Sequence, residues 1–322
     1  MSSTEPVLRC FRRCWRRLVI VDLAWILLGL LILSPLAGLI FRAVLSLSGE
    51  SVLADEEIAF FFLTSPAGWL GILIIGAAFI GLAALNQVAL MHVVRDNFTG
   101  ETTGFTGPFR FALAQAAPVL LVTGHLVARV MLVVLPFLLA AAVTYWILLT
   151  EYDINFYLQN RPMDFRIAIG VAVVLGAVLA VLMLRLASCW FLALPLVAFE
   201  QVKPRNALRE SSERTRGLRT QILRRVVIWV AAFLGVSSLT TALLIRIGQA
   251  VIMDWGGSMA ALTAIAGLIL VLLAANALAV NVLGNTTFSV LLYTSFRANA
   301  RNPSVRDSAQ QKIHPDSGAG FN

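Results

Sequence analysis

The sequence predicts an all-α polytopic transmembrane helix bundle of about six spans, with both termini in the cytoplasm. Three observations lead there. Apolar residues make up 59% of the 322 residues and charged residues only 13%, a balance that soluble domains of this size do not carry. Charge-free apolar runs recur at 23–41, 68–91, 130–150, 167–184, 226–245 and 255–296, close to or above the length of about 20 residues needed to cross a bilayer, with 167–184 slightly shorter but equally clean. Between these runs, basic residues alternate from loop to loop. Arg9, Arg12, Arg13, Arg16 and Arg17 precede the first run, and Arg95 and Arg110 lie between the second and third. Lys203, Arg205, Arg209, Arg214, Arg216, Arg219, Arg224 and Arg225 lie between the fourth and fifth, and Arg297, Arg301, Arg306 and Lys312 follow the sixth. Loops that keep Lys and Arg stay in the cytoplasm, so this side faces inward. The opposite side holds Arg42, Arg161, Arg166 and Arg246 against a larger set of acids, including Glu50, Asp55, Glu151, Asp153, Asp164 and Asp254.

Residues 1–17 form a basic lead-in, with Phe11 and Trp15 set between the arginines as headgroup anchors. The first span, near 18–45, carries Pro35, which membrane helices tolerate because neighbouring groups satisfy the freed carbonyl. The run is too long for a cleavable signal peptide and lacks a small-residue cleavage site. Residues 46–65 form an outer loop whose acidic, then aromatic segment lies along the outer interface. The second span, near 66–95, is followed by a Gly- and Thr-rich inner loop at 97–108. From 109 to 150 two readings compete: a short inner helix at 109–117 followed by one span near 118–149 through Pro136, or two spans split at Arg129. Splitting would place Arg129 outside and the acidic loop 151–166 inside, against the charge rule, so one span is preferred.

Tyr152, Phe156 and Tyr157 suit the outer interface before the fourth span, near 165–199. Residues 200–225 read as a polar helical hairpin, with Pro204 in a first helical turn and Gly217 as a stop. The fifth span runs near 222–252 and the sixth near 259–296. The sixth run needs only half its length to cross; the rest, from about Asn281, either continues as helix or bends along the inner leaflet. Residues 298–322 are polar and rich in breakers, and read as disordered.

The net charge of +8 sits in membrane-flanking segments, where it sets orientation and meets anionic headgroups; it does not point to nucleic acid. The cysteines Cys10, Cys14 and Cys189 are odd in number, which argues against a disulfide framework, and Cys10 and Cys14 at i,i+4 fill one helix face.

Two motifs together resemble a known family. EYDINFYL at 151–158 resembles the YDINYYL segment of the membrane domain of glycerophosphodiester phosphodiesterases. LPLVAFE at 194–200, PRNALRES at 204–211 and RTRG at 214–217 resemble that family's LP…E…P+EALR+S…TRG stretch. The similarity runs over about residues 10–300. In full-length members this domain precedes a metal-dependent barrel phosphodiesterase that opens on His-Arg-Gly with a nearby Glu-Asn pair. Neither motif is present, and the histidines are His92, His125 and His314. The family's catalytic residues therefore have no positions here. The sequence predicts no catalytic residue, no metal and no cofactor. The chain is expected either to stand alone or to stop before the enzyme begins.

The resemblance implies a module of the bacterial inner membrane. Its partners would be membrane lipids and a phosphodiesterase catalytic domain or subunit, in cis or in trans, to which it anchors or presents a glycerophospholipid or glycerophosphodiester. A transporter or lipid-export subunit and a structural scaffold are the rival readings. Intramembrane polar residues gather toward the inner half, where ionisable groups are costly and tend to face the bundle interior. Arg129, Arg185, His125, Asn86 and Asn281 are the candidates for a pocket that receives a lipid phosphate. The competing reading has both arginines snorkelling to headgroups while the amides bond between helices. Asp22 is expected to pair with a neighbouring arginine.

Overall fold

The computed structural model describes residues 5–48, 65–101, 103–152, 154–255 and 258–300. The described residues form helices and their connections. In chain order these are α1 (Glu5–Ser48), α2 (Pro66–Thr99), α3 (Gly107–Ala114), α4 (Ala116–Leu148), α5 (Ile154–Asn160), α6 (Met163–Trp190), α7 (Ala193–Glu200), α8 (Pro204–Arg214), α9 (Arg219–Trp255) and α10 (Met259–Ala300). Six segments are long and apolar enough to cross a membrane: Phe11–Ser46, Pro66–Thr99, Ala116–Leu148, Met163–Glu200, Arg219–Ile252 and Ala261–Ala300. The chain thus reads as a multi-pass membrane protein. The expected outer-loop segment at 49–64 and the tail at 301–322 lie outside the described residues.

Local chemistry sets the ends. Ser65 caps α2 by accepting the Gly68 N–H at 2.9 Å, with Pro66 in the first turn, where its missing N–H costs nothing. Gly100 stops the helix at φ 76° and returns its N–H to Asp96 O at 2.9 Å, a left-handed conformation that glycine adopts freely. Pro204 opens α8, and Gly217 follows it at φ 88°. The helix from Ala116 passes through Arg129 and Pro136 without a break, so the third apolar stretch is one span preceded by the short α3. Likewise α10 continues as a single helix of 42 residues to Ala300.

The fourth span is interrupted. α6 ends at Trp190 and α7 begins at Ala193. Pro195 accounts for the break, because its ring would strike the carbonyl four residues back, at Phe191. Beyond α7, Gln201 sits at φ 54° and Val202 N–H returns to Leu196 O at 3.3 Å. That reversal is strained for a residue with a side chain.

The chain divides into two compact units, residues 1–120 with 224–322, and residues 121–223. In the first, α1, α2 and α10 pack on one another and α3 packs on α2. α1 buries Cys14, Leu18, Val21, Asp22 and Trp25, a stripe at helical spacing. α2 is buried without interruption from Val88 to Val94, and α10 buries Val282, Thr286, Ser289, Val290 and Leu292. In the second unit, Val122, Ala193, Val197, Ala207 and Leu208 form a core against which Leu126, Trp190, Leu194 and Val202 pack.

Candidate functional site

The densest polar chemistry of the first unit lies where α1, α2 and α10 meet. Asp22 is fully buried on α1. Asn86 Nδ2 donates to Asp22 Oδ1 at 2.6 Å, and Asn285 Nδ2 donates to the same oxygen at 3.3 Å. Asp22 therefore takes amide partners from two other spans, and no arginine among the described residues reaches it. The expectation of an arginine partner is corrected: the nearby Arg17 is committed elsewhere. Trp25, one turn along α1, stacks on Phe109 with ring centroids 5.6 Å apart.

Nearer the basic end of the same helices, Asp96 is 3% exposed and stands 3.2 Å from the Arg17 guanidinium. The Thr103 hydroxyl donates to Asp96 Oδ2, while Arg17 donates to the Thr103 hydroxyl at 3.0 Å, to its carbonyl and, at 3.2 Å, to the Gly104 carbonyl. His92 Nδ1 lies 3.5 Å from Asp96 Oδ1, a turn earlier on α2, and its ring rests on Phe111 at 4.5 Å. Arg297 lies over the Phe98 ring at 4.3 Å. One buried carboxylate thus gathers α1, the end of α2 and the chain leading to α3. Sequence reasoning passed over Arg17 and Asp96. The available signal was an i,i+4 His–Asp pair on an apolar span, opposite the last arginine of the lead-in.

The sequence-predicted site residues divide between the units. In the first, Asn86 is spent on Asp22, and Asn281 is exposed one turn before Asn285. No hydrogen bond joins Asn86 to Asn281. In the second unit, His125 Nδ1 donates to the Leu121 carbonyl of its own helix at 2.7 Å. Arg129 is exposed, its guanidinium over the Trp190 ring at 6.0 Å. Arg185 is exposed on α6.

The stretch that carries the second motif folds into a tied hairpin. Breaking the fourth span frees backbone groups around Cys189 and Leu192. Ser211 takes both: its hydroxyl donates to Cys189 O at 2.8 Å and accepts the Leu192 N–H at 3.2 Å. The Thr215 hydroxyl also reaches Cys189 O, at 3.3 Å. Arg214 grips Glu200 through both terminal nitrogens, at 2.9 and 2.7 Å, and donates to Glu210 at 2.6 Å. Burial by itself would lower the Arg214 pKa, but its hydrogen bonds to Glu200 and Glu210 and their charges hold it above its usual value. In the first motif, Tyr152 stacks on Phe156 at 4.3 Å, and Tyr157, 4% exposed, stacks on Phe165 at 6.0 Å. Both motifs read as local architecture.

Among the described residues, no three of His, Cys, Asp and Glu are grouped as a metal-binding set. Two cavities of about 170 Å³ are apolar: one lies between α4 and α6 beside Thr144, Tyr145 and Phe165, the other between α9 and α10 beside Gly248, Ile265 and Ile269.

A family model described as the membrane domain of glycerophosphoryl diester phosphodiesterase matches residues 5–316. No curated protein matches the chain, and no solved structure does.

Proposed function

The chain belongs to the family of membrane domains of glycerophosphoryl diester phosphodiesterases, and from that premise we propose that it is a membrane module that holds a glycerophospholipid or glycerophosphodiester for a catalytic partner. In this reading both termini and the hairpin face the cytoplasm of a bacterial cell, and the phosphodiesterase chemistry is supplied by another domain or subunit.

The observation that supports the reading most is Arg129. Its guanidinium is exposed, steadied by the Trp190 face, and engaged by no carboxylate among the described residues. A cation held by an aromatic ring keeps its hydrogen-bond donors free for a phosphate. The exposed Arg185 on α6 and the exposed Lys203, Arg205, Arg209 and Arg216 around α8 extend the positive surface, which suits anionic headgroups. Holding a ligand agrees better than conduction with α4 beyond Arg129 and with α6 from Ile167 to Leu184, where most side chains are apolar.

Native mass spectrometry of the purified full chain tests it. Arg129→Ala and Arg185→Ala together are expected to cut retained anionic phospholipid severalfold while leaving zwitterionic lipid unchanged. Unchanged retention rejects the pocket. The orientation is tested in intact cells by Arg209→Cys in a background where Cys10, Cys14 and Cys189 are alanine. Labelling by a membrane-impermeant maleimide inverts the arrangement and removes the partner proposal with it.

A further inference from the structure

The group around Asp22 is not balanced. Asp22 Oδ1 receives the amides of Asn86 and Asn285, but Asp22 Oδ2, Asn86 Oδ1 and Gln87 Oε1 are buried acceptors with no partner. Trp25 Nε1, a turn away from Asp22 on α1, is a buried donor likewise left open. Oxygen acceptors are in excess, and so is negative charge. Asp22 is fully buried and Asn86 is 7% exposed, so bulk water does not serve these atoms. An isolated carboxylate in such a place is costly unless something positive joins it.

Among the described residues, the surrounding elements do not supply that charge. On α1, Arg16 is exposed and Arg17 is spent on Asp96, Thr103 and Gly104. On α2, His92 and Asp96 lie about two and three turns toward the basic end, where His92 stands 3.5 Å from Asp96 and Asp96 is paired with Arg17. On α10, Tyr293 and Arg297 lie about two and three turns beyond Asn285 and contact Phe98. On α3, Arg110 is exposed.

We propose that Asp22, with Asn86 and Asn285 bonded to it, forms a buried site for one small monovalent cation at the junction of the first, second and sixth spans. The occupant, a proton or an alkali ion, joins the open Asp22 Oδ2 and supplies the single positive charge the carboxylate lacks. Carboxylate and amide oxygens are the ligands that hard cations take. Occupancy neutralises Asp22 and favours the packed junction, by the mass action of any ligand that binds the folded state alone. The site is separate from the phosphate-holding reading, since it uses neither Arg129 nor Arg185.

The test is the thermal midpoint of the full chain, purified in neutral detergent, measured against pH in choline chloride and against sodium, potassium and lithium chloride at fixed pH. The wild type is expected to gain about 5 °C as the site fills. A gain on acidification that ions do not reproduce identifies the proton. A gain with one alkali chloride over choline at constant pH identifies the ion. Asp22→Asn supplies a neutral group in place, and its midpoint is expected to ignore the varied species. Asn86→Ala keeps the carboxylate and removes one of its two amide donors, so its half-saturation is expected to move about tenfold; this variant decides the matter if Asp22→Asn does not fold. A wild type that answers to neither pH nor ions overturns the proposal. So does an Asp22→Asn response equal to the wild type's, or an unmoved half-saturation in Asn86→Ala.

Discussion

At the basic end of the first unit, α1, α2 and α10 bury almost every turn: Leu18, Val21 and Trp25 on one helix, Val88 to Val94 on the next, and Thr286 to Leu292 on the third. At the other end the same helices turn Leu27, Leu30 and Leu31, then Leu70, Leu73 and Phe79, then Leu268, Leu270 and Val271 away from the protein. Both ends are made of leucine, valine and alanine, so hydrophobicity does not distinguish them. Polarity does. Lipid tails are as apolar as leucine, so apolar faces gain little by meeting one another in a bilayer, whereas hydrogen bonds and close fit hold helices together. The packed end is the one with Asp22, Asn86 and Asn285, and below them Arg17, Asp96 and Thr103.

The largest test of that contrast is Arg17→Met. It leaves Asp96, 3% exposed, without its cation, and is expected to cost about 3 kcal/mol, read from the unfolding midpoint in detergent. Asn86→Ala removes the 2.6 Å bond to Asp22 and is expected to cost about 2 kcal/mol in the same measurement. Ser211→Ala carries the idea into the second unit: it strips both hydrogen bonds from the interrupted span and is expected to cost about 1 kcal/mol, visible as faster amide exchange at Leu192. At the splayed end, Leu30→Ala and Leu31→Ala together are expected to change stability by less than about 0.5 kcal/mol. A larger loss there would mean that apolar fit, not polar ties, holds the unit together. Smallest is the effect of pH on the Arg214 cluster. Its folded-state pKa lies above the unfolded value, so its stabilisation is whole below the unfolded value and fades only as pH rises through the folded one. Arg214→Met is therefore expected to cost the same at about pH 7 and about pH 9, checked by paired denaturation curves.

Much of this architecture was legible in the residues. Charge-free runs gave six spans, and the acids around 151–166 excluded a split at Arg129. Pro204 and Gly217 marked the ends of a helix that forms between them. The fourth span, read near 165–199, carries a break at Phe191 that the reading did not include, because the Pro195 ring acts four residues upstream. What escaped was register. Asn281 and Asn285 are one turn apart, and only Asn285 faces Asp22, a distinction that needs the rotation of α10 about its axis. Asp22 was matched to arginine by charge alone, yet a span that buries it among amides excludes the long guanidinium arm. Arg17 could not be ranked above four other arginines, because what selects it is the loop at Thr103 folding over it.

Ser211 and Thr215 converge on one carbonyl, that of Cys189, and their helix carries exposed arginines on its outer side. The interrupted span and the hairpin are therefore riveted at the Cys189 peptide group, beside the apolar contact of Ala207 and Leu208 with Ala193 and Val197.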